Sequence, residues 1–299
     1  MDVTDKQHSV QLSPTGNQWM EEIEAGSFVG GPEPRVRAGT LRVVSWNINR
    51  GLQLNAVVDF LADSSADLIL LQEADINARR TQRLNIPREI ARALQMNYVF
   101  GREFKELAQG EQISPAYHGQ ATLSPFPISH PRVLRFRRQS TFWRPRWFIP
   151  RLQVFQRRLG ARIALICEIR IQDRTLTAYN THFESRGSDE LRSNQLTEML
   201  TEIRRNSQEM DVLVAGDFNF DLSHGQVARL IATSQLDNPF TPLGRRPTTR
   251  GRHGKYAAID WILTGKSVIT ASPEIHDTIG ASDHYPISLQ IQSCADHTS

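Results

Sequence analysis

Hydrophobic positions fall along this chain in two rhythms. Short apolar runs of strand length are LRVVSW (41–46), DLILLQ (67–72), ARIALICEIRI (161–171), TLTAYNTHF (175–183), DVLVAGDF (211–218), AAIDWIL (257–263) and YPISLQI (285–291). Several are continuous rather than alternating, as expected of central strands covered on both faces. Between them lie amphipathic stretches that predict helices over residues 54–63, 82–95, 188–205 and 223–232. In the third, Leu191, Gln195, Leu196, Met199 and Ile203 trace one face, and Ser188 with Glu190 and Leu191 resembles a capped start. The pattern predicts an α/β (α+β) domain with at least two sheets' worth of strands.

Residues 1–39 break this rhythm. They carry Pro14, Gly16, Gly30, Gly31, Pro32 and Pro34 with little periodicity, and read as a tail in which WMEEIEAGSF forms one short helix that docks on the body. The domain proper is expected over 40–293, with a short C-terminal tail over 294–299. No run approaches the roughly 18 apolar residues needed to span a bilayer. The first ten residues, MDVTDKQHSV, lack the apolar run of a signal peptide. Cys167 and Cys294 form no metal or disulfide pattern, and Cys167 in ALICEI reads as a buried small hydrophobe. A reducing, cytoplasmic setting and a monomer are expected, and no protein partner can be inferred.

The net charge is only +3, but its distribution is lopsided. No Asp or Glu lies between Glu111 and Glu168, whereas Arg132, Arg135, Arg137, Arg138, Arg144, Arg146, Arg151, Arg157, Arg158 and Arg162 all do. Such a field favours a polyanionic partner. In RFRRQSTFWRPRWFIPRLQVFQRRLG the arginines interleave with Phe136, Phe142, Trp143, Trp147, Phe148 and Phe155. Three readings stay open: a strand pair whose aromatics pack on the core while arginines face water, a nucleic-acid surface that pairs phosphate contact with base stacking, and an anionic membrane surface.

Candidate chemistry comes from polar residues at the ends of apolar strands. Asn47 follows VVSW, Glu73 follows LILLQ, His182 follows TAYNT, Asp217 and Asn219 follow LVAG, Asp260 sits inside AAIDWIL, and Asp283 with His284 precedes YPISL. An unpaired polar group at such a place costs on the order of a few kcal/mol in desolvation. Six strands ending this way imply that the groups converge and are compensated together by a cation. The donors are carboxylates and amides without thiolates, a set that suits Mg²⁺, Mn²⁺ or Ca²⁺ rather than structural zinc, with Mg²⁺ or Mn²⁺ the expected cofactor.

SWNINRG, LLQEAD, NTHFES, AGDFN, IDWIL and SDHYPI stand in the order, and near the spacing, of the endonuclease/exonuclease/phosphatase superfamily, which the chain resembles over about residues 41–292. The resemblance implies a four-layer sandwich of two mixed β-sheets flanked by helices, and metal-dependent hydrolysis of a phosphoester bond. It implies Glu73 as principal metal ligand with Asn47 beside it and Asp283 as a further ligand. His182 would contact the scissile phosphate, Asp217 would polarise the attacking water, and Asn219 would hold water or phosphate. His284 would bind or protonate the phosphoryl group, oriented by Asp260. The third motif is similar to that of the tyrosyl-DNA phosphodiesterases, which makes Ser185 a candidate phosphate contact and adds Asn180 and Arg186 as substrate-binding candidates. Some members carry Asp where this chain has Asn49, so one negative charge is missing here and two tightly held metals are disfavoured.

His118, His130, His224, His253 and His276 have no partner motif and read as surface or capping residues. His253, in the basic loop RGRHGKY, is also placed to touch substrate. Nucleic acid is the expected substrate. A phospholipid or inositol phosphate at an anionic membrane, a non-catalytic binding protein on the same scaffold, and a metal-independent interaction protein built around the arginine segment are the alternatives.

Overall fold

A computed structural model describes residues 22–30, 39–140, 157–206, 211–223, 225–250 and 256–292. Its strands are β1 (Ile23–Ser27), β2 (Thr40–Arg50), β3 (Leu68–Ile76), β4 (Asn97–Glu106), β5 (Ala116–Ser124), β6 (Ile128–Arg135), β7 (Arg158–Gly160), β8 (Ile163–Ile171), β9 (Arg174–His182), β10 (Asp211–Asp217), β11 (Leu236–Asp237), β12 (Asp260–Gly265), β13 (Thr270–Ile275) and β14 (Ile287–Gln292). The α-helices are α1 (Leu54–Ser64), α2 (Ile86–Leu94), α3 (Asp189–Asn206) and α4 (Gly225–Ala232). One sheet runs β1-β4-β5-β3-β2-β14-β13, with β7 also on β4; the other runs β11-β12-β10-β9-β8-β6.

Period-2 alternation along the central strands builds the layers. Val44, Trp46 and Ile48 of β2, with Ile69 and Leu71 of β3, pack with Val57, Leu61, Ile86 and Ile90 of α1 and α2. Their neighbours Leu41, Val43, Leu68 and Leu70 point the other way and join Leu165, Ala178, Tyr179 and Leu213 of the second sheet. Leu196, Met199 and Ile203 of α3 and Val227 of α4 join that same cluster. The result is the expected sandwich of two mixed sheets with helices outside.

Polar residues also face inward between the sheets. Gln72 Nε2 donates to Asn180 Oδ1 at 2.8 Å, and Asn180 Nδ2 donates to the carbonyls of Leu71 at 3.1 Å and Ala121 at 2.9 Å. Asn180, named as a substrate-binding candidate, thus bridges the sheets with its whole amide.

The N-terminal segment departs from expectation. Ile23–Ser27 is a strand, not a helix, and pairs antiparallel with β4 from Ile23↔Gly101 to Ser27↔Asn97. Glu24 secures it by accepting from Tyr98 Oη at 2.9 Å. Helix α2 begins later than the amphipathic pattern suggested, because Asn85 caps it by accepting from Arg88 N at 3.1 Å and Pro87 occupies its first turn. Strands β4, β5, β6 and β13 went unread because polar residues interrupt their apolar runs. In β5, His118, Gln120, Thr122 and Ser124 are all buried.

Two predictions follow from this packing. Burial pushes the Cys167 thiol up to about 12, so native protein should leave Cys167 unalkylated at neutral pH while urea-unfolded protein reacts; peptide mass spectrometry reads this directly. Gly216 has φ 148° and lies where an added Cβ would sit 1.9 Å from the Thr181 carbonyl oxygen. Gly216→Ala should therefore destabilise the fold by about 1–3 kcal/mol or more in a urea melt.

Candidate active site

Strand direction and register gather the site. β9 and β10 are parallel and pair His182 with Asp217, and β12 runs antiparallel to β10 and pairs Asp260 with Asp217. Three neighbouring strands therefore place His182, Asp217 and Asp260 in one row. In the other sheet β2 and β3 are parallel, and their register shifts between Asn47 and Arg50. β14 runs antiparallel to β2, so the residues before Ile287 arrive at the end of β2 that carries Asn47.

Hydrogen bonds then tie the two sheets at this edge. Asn47 Nδ2 donates to Asp217 Oδ2 at 3.1 Å, and Asn219 N donates to Asp217 Oδ1 at 2.9 Å. Ser282 Oγ donates to the Asn47 carbonyl at 2.7 Å and accepts from His284 N at 3.2 Å, while Trp46 Nε1 donates to the His284 carbonyl at 2.9 Å. The Trp of SWNINRG and the Ser of SDHYPI thus hold their polar neighbours in place.

Two histidines flank the buried Asp217. His182 Nε2 lies 3.4 Å and His284 Nε2 lies 3.7 Å from Asp217 Oδ2. His284 Nδ1 is 2.9 Å from Asp260 Oδ2 and 3.0 Å from Oδ1. Asp260 Oδ2 also accepts from Thr248 Oγ1 at 2.7 Å. Burial alone would lower the His284 pKa, but Asp260 and then Asp217 hold it well above the ordinary imidazole range. Burial, reinforced by Asp260, raises the Asp217 carboxyl against the stabilising His284, Asn47 and Asn219. Burial and then Arg162 push the His182 ring well below its usual value. The site therefore holds one imidazolium and one neutral imidazole on either side of a carboxylate that readily takes a proton.

Glu73 is a different kind of carboxylate. Burial opposes its charge, yet His118, Arg50 and Arg162 together hold it below the ordinary range, so it stays ionised. Among the described residues its one ion pair is to Arg50 Nη1, at a loose 3.5 Å. Its φ of 54° is left-handed, and β3 shifts register on both sides of it. A carboxylate held ionised, strained and loosely paired fits a cation ligand. Asn47 pairs in register with Gln72, the residue before Glu73, and its Oδ1 accepts from Asn49 N at 3.1 Å. Asp283 is half-buried, and its carbonyl accepts from Thr249 Oγ1 and Arg250 N, each at 2.8 Å.

Ligand atoms of Asp217, Asp260 and His284 also lie within 4.8 Å of one another. That trio differs from the metal set expected from the sequence. Its Asp260–His284 contact is a carboxylate–imidazolium pair, and a protonated ring has no lone pair for a metal. The trio is therefore better suited to moving protons than to binding an ion.

The remaining candidates divide. Asn219 Nδ2 donates to the Phe183 carbonyl at 3.1 Å, and Asn219 itself has a left-handed φ of 56°. Ser185 is exposed, and its Oγ accepts from Arg162 Nη2 at 2.8 Å. Arg186 is exposed, and its backbone N donates to Glu184 Oε1 at 3.0 Å. Arg162, at the end of the arginine-rich segment whose role stayed open, is buried at the site. His118, expected at the surface, is fully buried with Nδ1 2.8 Å from Asp75 Oδ1. Glu103 and Thr248 carried no motif and went unread; the one signal was a charged residue inside a strand-length stretch. His224, His253 and residues 141–156 of the arginine-rich segment lie outside the described residues. No helix among the described residues is long and apolar enough to cross a membrane.

The profile of the endonuclease/exonuclease/phosphatase family matches residues 44–284. No match is found among curated protein sequences. Of solved structures, the chain is similar to the human Nocturnin catalytic domain with bound sulfate, with 16% identity and a TM-score of 0.64, covering 90% of this chain and 97% of that one. It is also similar to an endonuclease/exonuclease/phosphatase from Beutenbergia cavernae DSM 12333, with 16% identity, a TM-score of 0.62 and coverage of 85% and 71%. TDP2 from Caenorhabditis elegans aligns with 17% identity and a TM-score of 0.58, covering 85% of this chain and 75% of that one. At such identities the structural likeness speaks for the fold, and the profile match speaks for descent: the chain belongs to the endonuclease/exonuclease/phosphatase family, whose members are metal-dependent hydrolases of phosphoester bonds.

Proposed function

We propose that the protein is a divalent-metal-dependent phosphodiesterase acting on nucleic acid. The observation that carries this reading is Asp217, buried between a cationic and a neutral imidazole at the edge where Glu73 stays ionised. Glu73, Asn47 and Asp283 would hold Mg²⁺ or Mn²⁺. When bound, such an ion offsets charge developing on the phosphoryl group.

The chain's own residues do the rest. Asp217 accepts a proton from the attacking water, with its oxygens aimed by Asn47 Nδ2 and Asn219 N. The raised carboxyl suits that task. His284, locked by Asp260, donates from Nε2 to a phosphoryl or leaving-group oxygen. His182 Nε2 faces the same space from the other side.

Support for nucleic acid rather than lipid comes from the residues beside the site. Leu52 is 50% and Tyr256 63% exposed, Arg250 is exposed, and Arg50 reaches toward Glu73. Gln53 Nε2 donates to the Gly280 carbonyl at 3.4 Å, joining the Leu52 turn to the loop that leads to Asp283. Cations and an aromatic ring beside a phosphate site suit a backbone with stackable bases.

The decisive experiment is a panel of single- and double-stranded DNA, RNA, phospholipid vesicles and inositol phosphates, each with Mg²⁺, Mn²⁺ or EDTA. Nucleic acid should be cleaved with metal and spared with EDTA. Preferential hydrolysis of vesicles would move the substrate to lipid, and no turnover on any arm would end the enzyme reading. Asp217→Asn and His284→Ala should each lower turnover by at least about 100-fold. Near-normal rates in either variant would remove that residue from the mechanism.

A further inference from the structure

We propose that Arg162 is a positioning residue that fixes His182 as the Nε2–H tautomer, so that a neutral imidazole presents a proton donor to the reacting phosphate. What that donor meets rests on the phosphodiesterase reading; the tautomer itself does not.

Arg162 stands just before β8 with 3% of its side chain exposed. Its Nη1 donates to Glu103 Oε1 at 2.7 Å and lies 2.9 Å from His182 Nδ1, while Nη2 donates to Ser185 Oγ at 2.8 Å. A guanidinium carries five N–H donors, no acceptor, and does not lose its proton in proteins. Any ring nitrogen hydrogen-bonded to it must offer a lone pair. His182 Nδ1 is therefore bare, and the ring proton sits on Nε2, which lies 3.4 Å from Asp217 Oδ2.

A carboxylate that could reverse this is close by. Glu103 Oε2 is 3.7 Å from His182 Nδ1, beyond hydrogen-bond reach, and Arg162 binds both. Without the guanidinium, Glu103 and His182 would form a direct carboxylate–histidine pair, as Asp260 and His284 do at 2.9 Å. The two histidines around Asp217 are thus set in opposite states by opposite partners on Nδ1. A neutral ring donates one hydrogen bond without adding positive charge beside a place meant for a metal cation. Glu184, 3.9 Å from Arg162 Nε, completes the acidic holder of the guanidinium.

The test begins with the wild-type protein, metal-free and labelled with ¹⁵N-histidine, at neutral pH. His182, assigned by its loss in His182→Gln, should show a protonated Nε2 and a bare Nδ1. A proton on Nδ1, alone or with Nε2, overturns the proposal whatever the variants do. Arg162→Met should transfer the ring proton to Nδ1, facing Glu103, and lower kcat on the order of 100-fold with KM little changed. Arg162→Lys keeps a donor and should retain the Nε2–H signature with part of the activity. Arg162→Met that keeps Nε2–H overturns the proposal even if turnover falls. A wild-type protein that shows Nε2–H but cleaves no phosphodiester sinks the proposed function and leaves the tautomer assignment standing.

Discussion

The structure depends on one electrostatic constraint: charges buried at the sandwich edge must compensate one another. Asp217 and Asp260 lie side by side on neighbouring strands, where two carboxylates repel. The His284 imidazolium between them removes most of that conflict. Glu73 and Asp283 add two further carboxylates and Arg50 one cation. Four carboxylates against two cations leave an excess of two negative charges when all are ionised. A divalent cation is the simplest completion of such a site, and oxygen donors are what a hard ion selects.

The same constraint explains why the site spans both sheets. No single sheet could bring this many carboxylates together without stacking like charges in one ladder. Splitting them lets Asn47 of the first sheet donate to Asp217 of the second. It also lets the Ser282 hydroxyl and the Trp46 indole clamp the His284 loop against β2. The polar seam through Gln72 and Asn180 carries this linkage deeper between the layers. Register errors in either sheet would then misplace the whole constellation.

The candidate row was legible in the sequence because each member sits at the end of an apolar run, where a charge is conspicuous. Asn47, Glu73, His182, Asp217, Asp260 and His284 were all visible in that way. Fold class followed from strand-length runs alternating with helical ones. The unread parts share a physical cause. β4 and β5 carry buried polar residues that erase periodicity, so Glu103 went unread and His118 looked like a surface position. β1 is an edge strand whose half-exposed residues lack a core pattern, and pairing with β4 rather than local propensity forms it. Arg162 was hidden by composition: in sequence nothing separates it from the neighbouring arginines of its segment. Burial of a charge is decided by partners distant in sequence, here Glu103 and His182, which no local window reveals.

Behind Glu73 a second network does quieter work. Arg80 Nε donates to Asp75 Oδ2 at 2.6 Å and its Nη2 to Asp75 Oδ1 at 2.8 Å, while His118 Nδ1 meets the same carboxylate at 2.8 Å. Arg80 and Arg158 both pair with Glu106, at 3.3 and 2.7 Å. Asp75 stands two residues beyond Glu73, past the point where β3 returns to register with β5. A left-handed residue in a strand persists only where its flanks are over-determined. On one side of Glu73 that is achieved by the apolar run from Leu68 to Leu71, on the other by this ion-paired cluster. The cluster also contributes through space, since His118 is the leading influence that keeps Glu73 ionised against burial. One buried network therefore sets both the backbone strain and the charge of the principal candidate ligand, which is why residues without a motif belong to the physical definition of the site.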